Sequence, residues 1–142
     1  MKTIQTVLFG IILTGLLASC AGVGTKTASI QPPLGTLDAA SVTALFSGKT
    51  VESVLDKTGR VSLIYYSPTG ELRQLQNGEK RSGSWEVRDD GRICLDFPGD
   101  ERQCRAIVKE GNVYRKYVVK KDGSHVPVVT YKSFRDGNLV DK

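Results

Sequence analysis

Ser82–Cys104 reads SGSWEVRDDGRICLDFPGDERQC, and its alternation decides the fold. Trp85 and Val87 alternate with Glu86 and Arg88, and Ile93, Leu95 and Phe97 alternate with Cys94 and Asp96. A period of two marks strands that bury one face. Asp89-Asp90-Gly91 separates the two runs, and an Asp-Gly step supplies the positive φ of a hairpin turn. Pro98-Gly99-Asp100 separates the second run from Glu101–Val108. A turn centred on Gly99 sets Phe97 opposite Glu101, Leu95 opposite Gln103 and Cys94 opposite Cys104. Directly opposed cysteines in a non-hydrogen-bonded pair lie within reach of a disulfide. The spacing is not CxxC, and two thiols with a single histidine fall short of a usual metal set. A structural Cys94–Cys104 disulfide is therefore expected, pinning a register that a one-residue slip would invert.

The same pattern extends outward on both sides. Thr50–Leu55, Val61–Ser67 and Glu71–Gln76 read as strands, separated by turn residues at Lys57-Thr58-Gly59 and Ser67-Pro68-Thr69-Gly70. Leu72 and Leu75 alternate imperfectly, which points to a bulge. Asn77-Gly78 is a strong hairpin signal, with Glu79–Gly83 lengthening its loop. Downstream, Cys104–Lys109, Val113–Lys120 and His125–Phe134 read as strands around Glu110-Gly111-Asn112 and Lys121-Asp122-Gly123, and Arg135–Lys142 as a polar tail. About eight short strands with short links predict an all-β fold, a small antiparallel up-and-down meander. Eight strands suffice to close a barrel and remove exposed edges; a strongly curved open sheet is the alternative. Leu37–Phe46 predicts one short amphipathic helix before the first strand, capped by Asp38 or Thr36 and ended by Gly48. Residues 37–142 are then one domain.

The N-terminus speaks to compartment. Val7–Leu17 is an uncharged apolar run behind Lys2. It is shorter than the roughly 20 residues a membrane-spanning helix needs and fits the core of a signal peptide. Leu17-Ala18-Ser19-Cys20 follows at once, and it resembles the bacterial lipobox. The resemblance implies cleavage after Ser19, with lipid on the Cys20 sulfur and on its new amino group. Residues 1–19 are then a lipoprotein signal peptide, and residues 20–36, rich in Gly, Thr, Ser and Pro, a lipidated cysteine and flexible tether. Assigning Cys20 to lipid leaves Cys94 and Cys104 as a pair, in a compartment where disulfides persist. Residue 21 is Ala rather than Asp, which resembles outer-membrane sorting. The expectation is a cell-envelope protein, lipid-anchored in the outer membrane and facing the periplasm.

Lys2 is the one charged residue in 1–19, so 19 of the 20 basic side chains remain in the mature chain against 15 acidic ones. That mild excess fits anionic envelope polymers or a plain solvated surface; nucleic acid is not an expected partner of an exported chain. Phe46-Ser47-Gly48-Lys49-Thr50, Tyr65-Tyr66-Ser67-Pro68-Thr69-Gly70, Ser82-Gly83-Ser84-Trp85 and Asp90-Gly91-Arg92-Ile93-Cys94 together resemble an uncharacterised family of small exported proteobacterial proteins. The Gly-x-Trp element is also similar to the calycins, whose Trp plugs a barrel floor near the first strand; here Trp85 lies mid-chain. The resemblance implies fold and compartment and no activity.

Chemistry is sparse. Ser47-Gly48-Lys49-Thr50 looks like the end of a phosphate-binding loop, but position 43 is Thr where that motif needs Gly. Gly22-x-Gly24 lacks the third glycine of a dinucleotide fingerprint. His125 stands alone beside a turn. Asp89-Asp90 and Asp100-Glu101 fall in turns and are explained by turn propensity. No catalytic triad, metal motif or cofactor site is read, so no enzyme is expected. Trp85, Tyr65 and Tyr117 are the candidate ligand or surface aromatics, with Tyr66, Tyr114 and Tyr131 beside them. The leading expectation is a non-enzymatic envelope lipoprotein acting through an envelope protein or anionic polymer, with a packed core. The alternative is a calycin-like small-molecule binder, which requires space inside the barrel.

Overall fold

The computed structural model describes residues 31–142; the segments expected to be a signal peptide, the lipidated Cys20 and most of a tether lie outside the described residues. The chain folds as a closed antiparallel barrel of eight strands, each paired with the next and the last with the first. In order they are β1 (Lys49–Leu55), β2 (Val61–Tyr66), β3 (Glu71–Gln76), β4 (Glu79–Val87), β5 (Ile93–Asp96), β6 (Gln103–Glu110), β7 (Val113–Val119) and β8 (His125–Asp136). One helix, α1 (Ala39–Phe46), precedes β1. The Asp38 carboxylate caps it by accepting a hydrogen bond from the Ser41 amide at 2.8 Å, a contact worth about 1 kcal/mol. Val42 and Phe46 are its buried face.

The meander around Trp85 forms in the expected register. Trp85 opposes Leu95, Val87 opposes Ile93, and Cys94 opposes Cys104. A disulfide joins Cys94 to Cys104 across β5 and β6. Non-reducing peptide mapping of protein produced in an oxidising compartment should recover this cross-link. Replacing both cysteines with alanine should cost about 2 to 3 kcal/mol by restoring freedom to the unfolded loop; two free thiols in protein recovered from the periplasm would contradict the pairing.

Gly83 has a steric reason. A Cβ there would sit 2.3 Å from the Asp96 carbonyl oxygen and 2.8 Å from the Phe97 ring. The bare backbone lets the middle of β4 close against the end of β5. Gly91 combines a φ of +79° with a similar approach, its Cβ position lying 2.4 Å from the Leu37 carbonyl oxygen. That turn therefore meets the chain just before α1.

Four local expectations change. No register shift interrupts β3: Leu72, Gln74 and Gln76 share one face, and Leu75 takes the other. The irregularities fall instead between Glu52 and Ser53 in the β1–β8 pairing and between Lys116 and Tyr117 in the β7–β8 pairing. Asn77-Gly78 makes a tight turn, with Gln76 opposite Glu79, so Glu79–Gly83 is strand and not loop. The C-terminal tail is not merely polar. Val140 is buried, and the Leu139 amide donates to the Thr50 hydroxyl at 2.9 Å. At the other end, Thr36 bridges to Val108 and the Leu37 amide donates to the Ile107 carbonyl, so the two residues before Asp38 dock on β6 instead of extending freely.

The barrel has two unlike ends. At one end α1 drives Phe46 into the bore. Its ring meets Tyr66, Tyr131 and Phe134 edge-on, with centroids 4.9, 5.2 and 5.4 Å away. Trp85 packs on Tyr66 at 5.3 Å, and its indole N–H donates to the Ser67 carbonyl at 2.8 Å. The plug is thus built from the helix, with Trp85 supporting it. Ser47 to Thr50 is the hinge between plug and β1. The Gly48 amide donates to Tyr66, and Lys49 pairs with Asp136 at 2.6 Å. These backbone and ion-pair contacts account for the segment that resembled a phosphate loop. Among the described residues no helix is long and apolar enough to cross a membrane.

Candidate functional site

The other end is open. The turns after β1, β3, β5 and β7 gather there, and a cavity of about 360 Å³ runs inward from them. Leu55, Arg60, Gln76, Asp100, Glu101 and Gln103 form its mouth, and Tyr66 and Tyr131 its floor. The wall mixes two chemistries. Ile64, Leu95, Phe97 and Val129 are apolar, whereas Ser53, Ser62, Gln74, Arg81 and Lys116 are polar.

Strand periodicity puts them there. In-phase positions on a strand share a face, so Leu72 at the closed end carries Gln74 and Gln76 inward with it. Ser62 and Ile64 are in phase with Tyr66 on β2. On β7, Lys116 opposes Ile107 of β6 and Val129 of β8. Ile107 is fully buried, so the whole rung points into the barrel.

The polar groups on one side of the lumen satisfy one another. Gln74 donates its amide to the Ser62 hydroxyl at 2.7 Å. Arg81 Nε donates to the Gln74 carbonyl oxygen. Arg81 Nη1 meets Asp100 at 2.6 Å, and the guanidinium lies over the Phe97 ring, 4.1 Å from its centroid. This chain runs from mid-wall to mouth and occupies the charge of Arg81.

The opposite side is different. Lys116 has no ion pair among the described residues. Burial, reinforced by the nearby Arg105 charge, pulls its amine down to about 8. Desolvation disfavours the charged form in this way. The Tyr131 hydroxyl is buried without a hydrogen-bond partner. An unpartnered buried hydroxyl costs about 1 to 3 kcal/mol. Its ionisation is pushed well above the usual tyrosine range by burial, so it remains a neutral donor. The other such atom among the described residues, Arg115 Nε, is 3.4 Å from Glu110.

The residues singled out from sequence fall elsewhere. Trp85 supports the plug. Tyr65 opposes Thr50 and Arg73, out of phase with the inward Ile64 and Tyr66. The Tyr117 hydroxyl donates to Glu110 on an exposed surface. None of the three lines the cavity. His125 begins β8 opposite Val119. Asp90 is a turn residue whose carboxylate accepts from Arg92 and is held below the usual carboxylate range by those bonds. Among the described residues no three His, Cys, Asp or Glu side chains group as a metal site.

The lumen residues Lys116, Gln74 and Arg81 carried no motif. The one available signal was phase: Lys116 lies two residues from Tyr114, and Gln74 two from Leu72. A search of protein-family models, curated proteins and solved structures finds no match to this chain. The functional reading therefore rests on the lumen itself.

Proposed function

We propose that the chain is a membrane-anchored envelope lipoprotein that binds a small molecule in its barrel without catalysing a reaction. The observation that carries this reading is the 360 Å³ cavity, closed at one end by an aromatic plug and open at the other. It lies within the roughly 300–1,000 Å³ range of small-molecule sites. The interaction reading predicts a filled core, so a lumen of that size favours the binding reading over it. The lining also has the composition such sites use, an apolar wall with a few placed polar groups. The lipobox-like LASC at 17–20 and the disulfide support the envelope assignment. The described chain joins the barrel beside β6 at the plugged end, opposite the mouth. That arrangement suits a ligand taken from the aqueous compartment.

The test is native mass spectrometry of the full chain, expressed with its own leader and released gently from membranes. The expected result is a population carrying an extra small mass that leaves on activation. A bare mass throughout, with a protein captured by cross-linking in the envelope, would replace this reading with the interaction one.

A further inference from the structure

The lumen's charges are unevenly used, and this bears on what the cavity takes. Arg81 is committed to Gln74, Asp100 and the face of Phe97. The acids that line the cavity, Asp100 and Glu101, belong to the loop after β5 at the mouth. Deeper in, the charged group is Lys116, halfway along β7, without an ion-pairing partner among the described residues. Arg105 on β6 adds a second positive charge to its field.

Beside Lys116 is the second unused group. Val129 is directly opposite Lys116, and Tyr131 is two residues further along β8. Side chains in that diagonal relation start roughly 7–8 Å apart, within reach for long and aromatic residues. The Lys116 ammonium and the Tyr131 hydroxyl, whose oxygen has no partner, can thus converge on one acceptor. Both are donors at neutral pH. A half-buried ammonium beside a buried hydroxyl is complementary to an anion, and a charge-assisted hydrogen bond is about twice as strong as a neutral one.

We propose that the lumen selects a small organic anion, with its carboxylate held between Lys116 and Tyr131 and its apolar body against Ile64, Leu95, Phe97 and Val129. This rests on the lumen-binding reading and gives it a ligand class. The volume sets an upper size: a bicyclic or short acyl carboxylate fits, and a phospholipid does not. At the mouth, exposed Arg60 offsets the charge of Glu101, and Asp100 is paired with Arg81.

The test uses the full lipidated chain in lipid nanodiscs, with protein-free nanodiscs as the blank. Two probes of nearly equal shape are compared, 1-naphthoate and neutral 1-naphthamide. Naphthoate is expected to bind at least ten-fold more tightly. Lys116→Met should abolish that preference, bringing the two probes to within about two-fold of each other. Tyr131→Phe, which keeps the ring in the plug, should weaken naphthoate several-fold. Equal binding of the two probes by the unaltered protein would overturn the anion proposal while leaving the lumen-binding reading standing. A preference that survives Lys116→Met would overturn the assignment of the charge. If neither probe binds and native spectra show a bare chain, both readings fall.

Discussion

Phe46→Ala should destabilise the protein by about 4 kcal/mol, the largest single-site loss the fold offers. Phe46 is fully buried, and it is the one side chain from α1 that meets three other aromatic rings. Removing a buried aromatic costs about 3 to 5 kcal/mol in lost transfer energy and cavity. The upper half of that range applies because the neighbours cannot collapse. Tyr66, Tyr131 and Phe134 are fixed on strands of a closed barrel, whose hydrogen-bond register resists inward movement. A domain with a total stability of roughly 5 to 15 kcal/mol has little margin for such a loss. Urea denaturation of the purified protein checks it through the shift in midpoint at constant slope. A loss below about 1.5 kcal/mol would mean that α1 sits on the barrel end without plugging it.

Lys116→Met should do the reverse and stabilise the protein by about 2 to 3 kcal/mol at pH 7. The amine titrates at about 8 in the folded state against an ordinary value of 10.5, and each unit of such a shift corresponds to about 1.4 kcal/mol. The lumen's access to solvent trims the total. The sign follows from proton binding. Between pH 8 and pH 10.5 the unfolded chain holds this proton and the folded chain does not, so stability rises with pH across that window. The charged lysine's full cost is present below pH 8. Methionine removes the cost, so its advantage should be greatest at and below neutrality and should vanish near pH 10.5. The groups facing the amine do not reverse this. Arg105 raises the cost, and Tyr131 keeps its proton throughout the window. Denaturation series at pH 7, 9 and 10.5 measure the difference. A methionine variant no more stable than the parent at pH 7 would show that the ammonium is well solvated or paired.

These two residues also show what was legible beforehand. The fold followed from alternation and turn chemistry. Trp85/Val87 and Ile93/Leu95/Phe97 gave the phase, Gly99 gave the turn, and the opposed cysteines formed as the register required. Turn positions were read well because Asp-Gly, Asn-Gly and Pro-Gly act locally. The helix was also visible, since Asp38 is a local cap. Its role was not visible. That Phe46 fills the barrel end depends on which strands converge there, and no window of sequence contains that.

The lumen was hidden for a related reason. In sequence, the inward face of a strand is marked by its apolar residues. On β3 the inward set is Leu72, Gln74 and Gln76, so Leu75, which faces out, made the pattern look broken. On β7 Tyr114 and Lys116 share one phase, and the shift after Lys116 leaves Val128 of β8 unopposed and offsets the β8 residues before it. A polar residue in an inward phase reads locally as a defect, and it becomes a site only when the facing strands bring several together. The aromatic candidates failed in the converse way. Trp85, Tyr65 and Tyr117 are conspicuous residues, but one supports the plug and the other two are turned away from the lumen.

The central claim is that the lumen holds a free, partly buried ammonium whose role is to receive an anion. The most direct measurement is a pH titration of the lysine side-chain nitrogens by 15N NMR, with and without 1-naphthoate. One resonance, missing in Lys116→Met, should titrate near 8 in the free protein and move toward the ordinary lysine value when naphthoate is added. If every lysine titrates near 10.5, or the Lys116 midpoint is indifferent to naphthoate, the lumen is not an anion site.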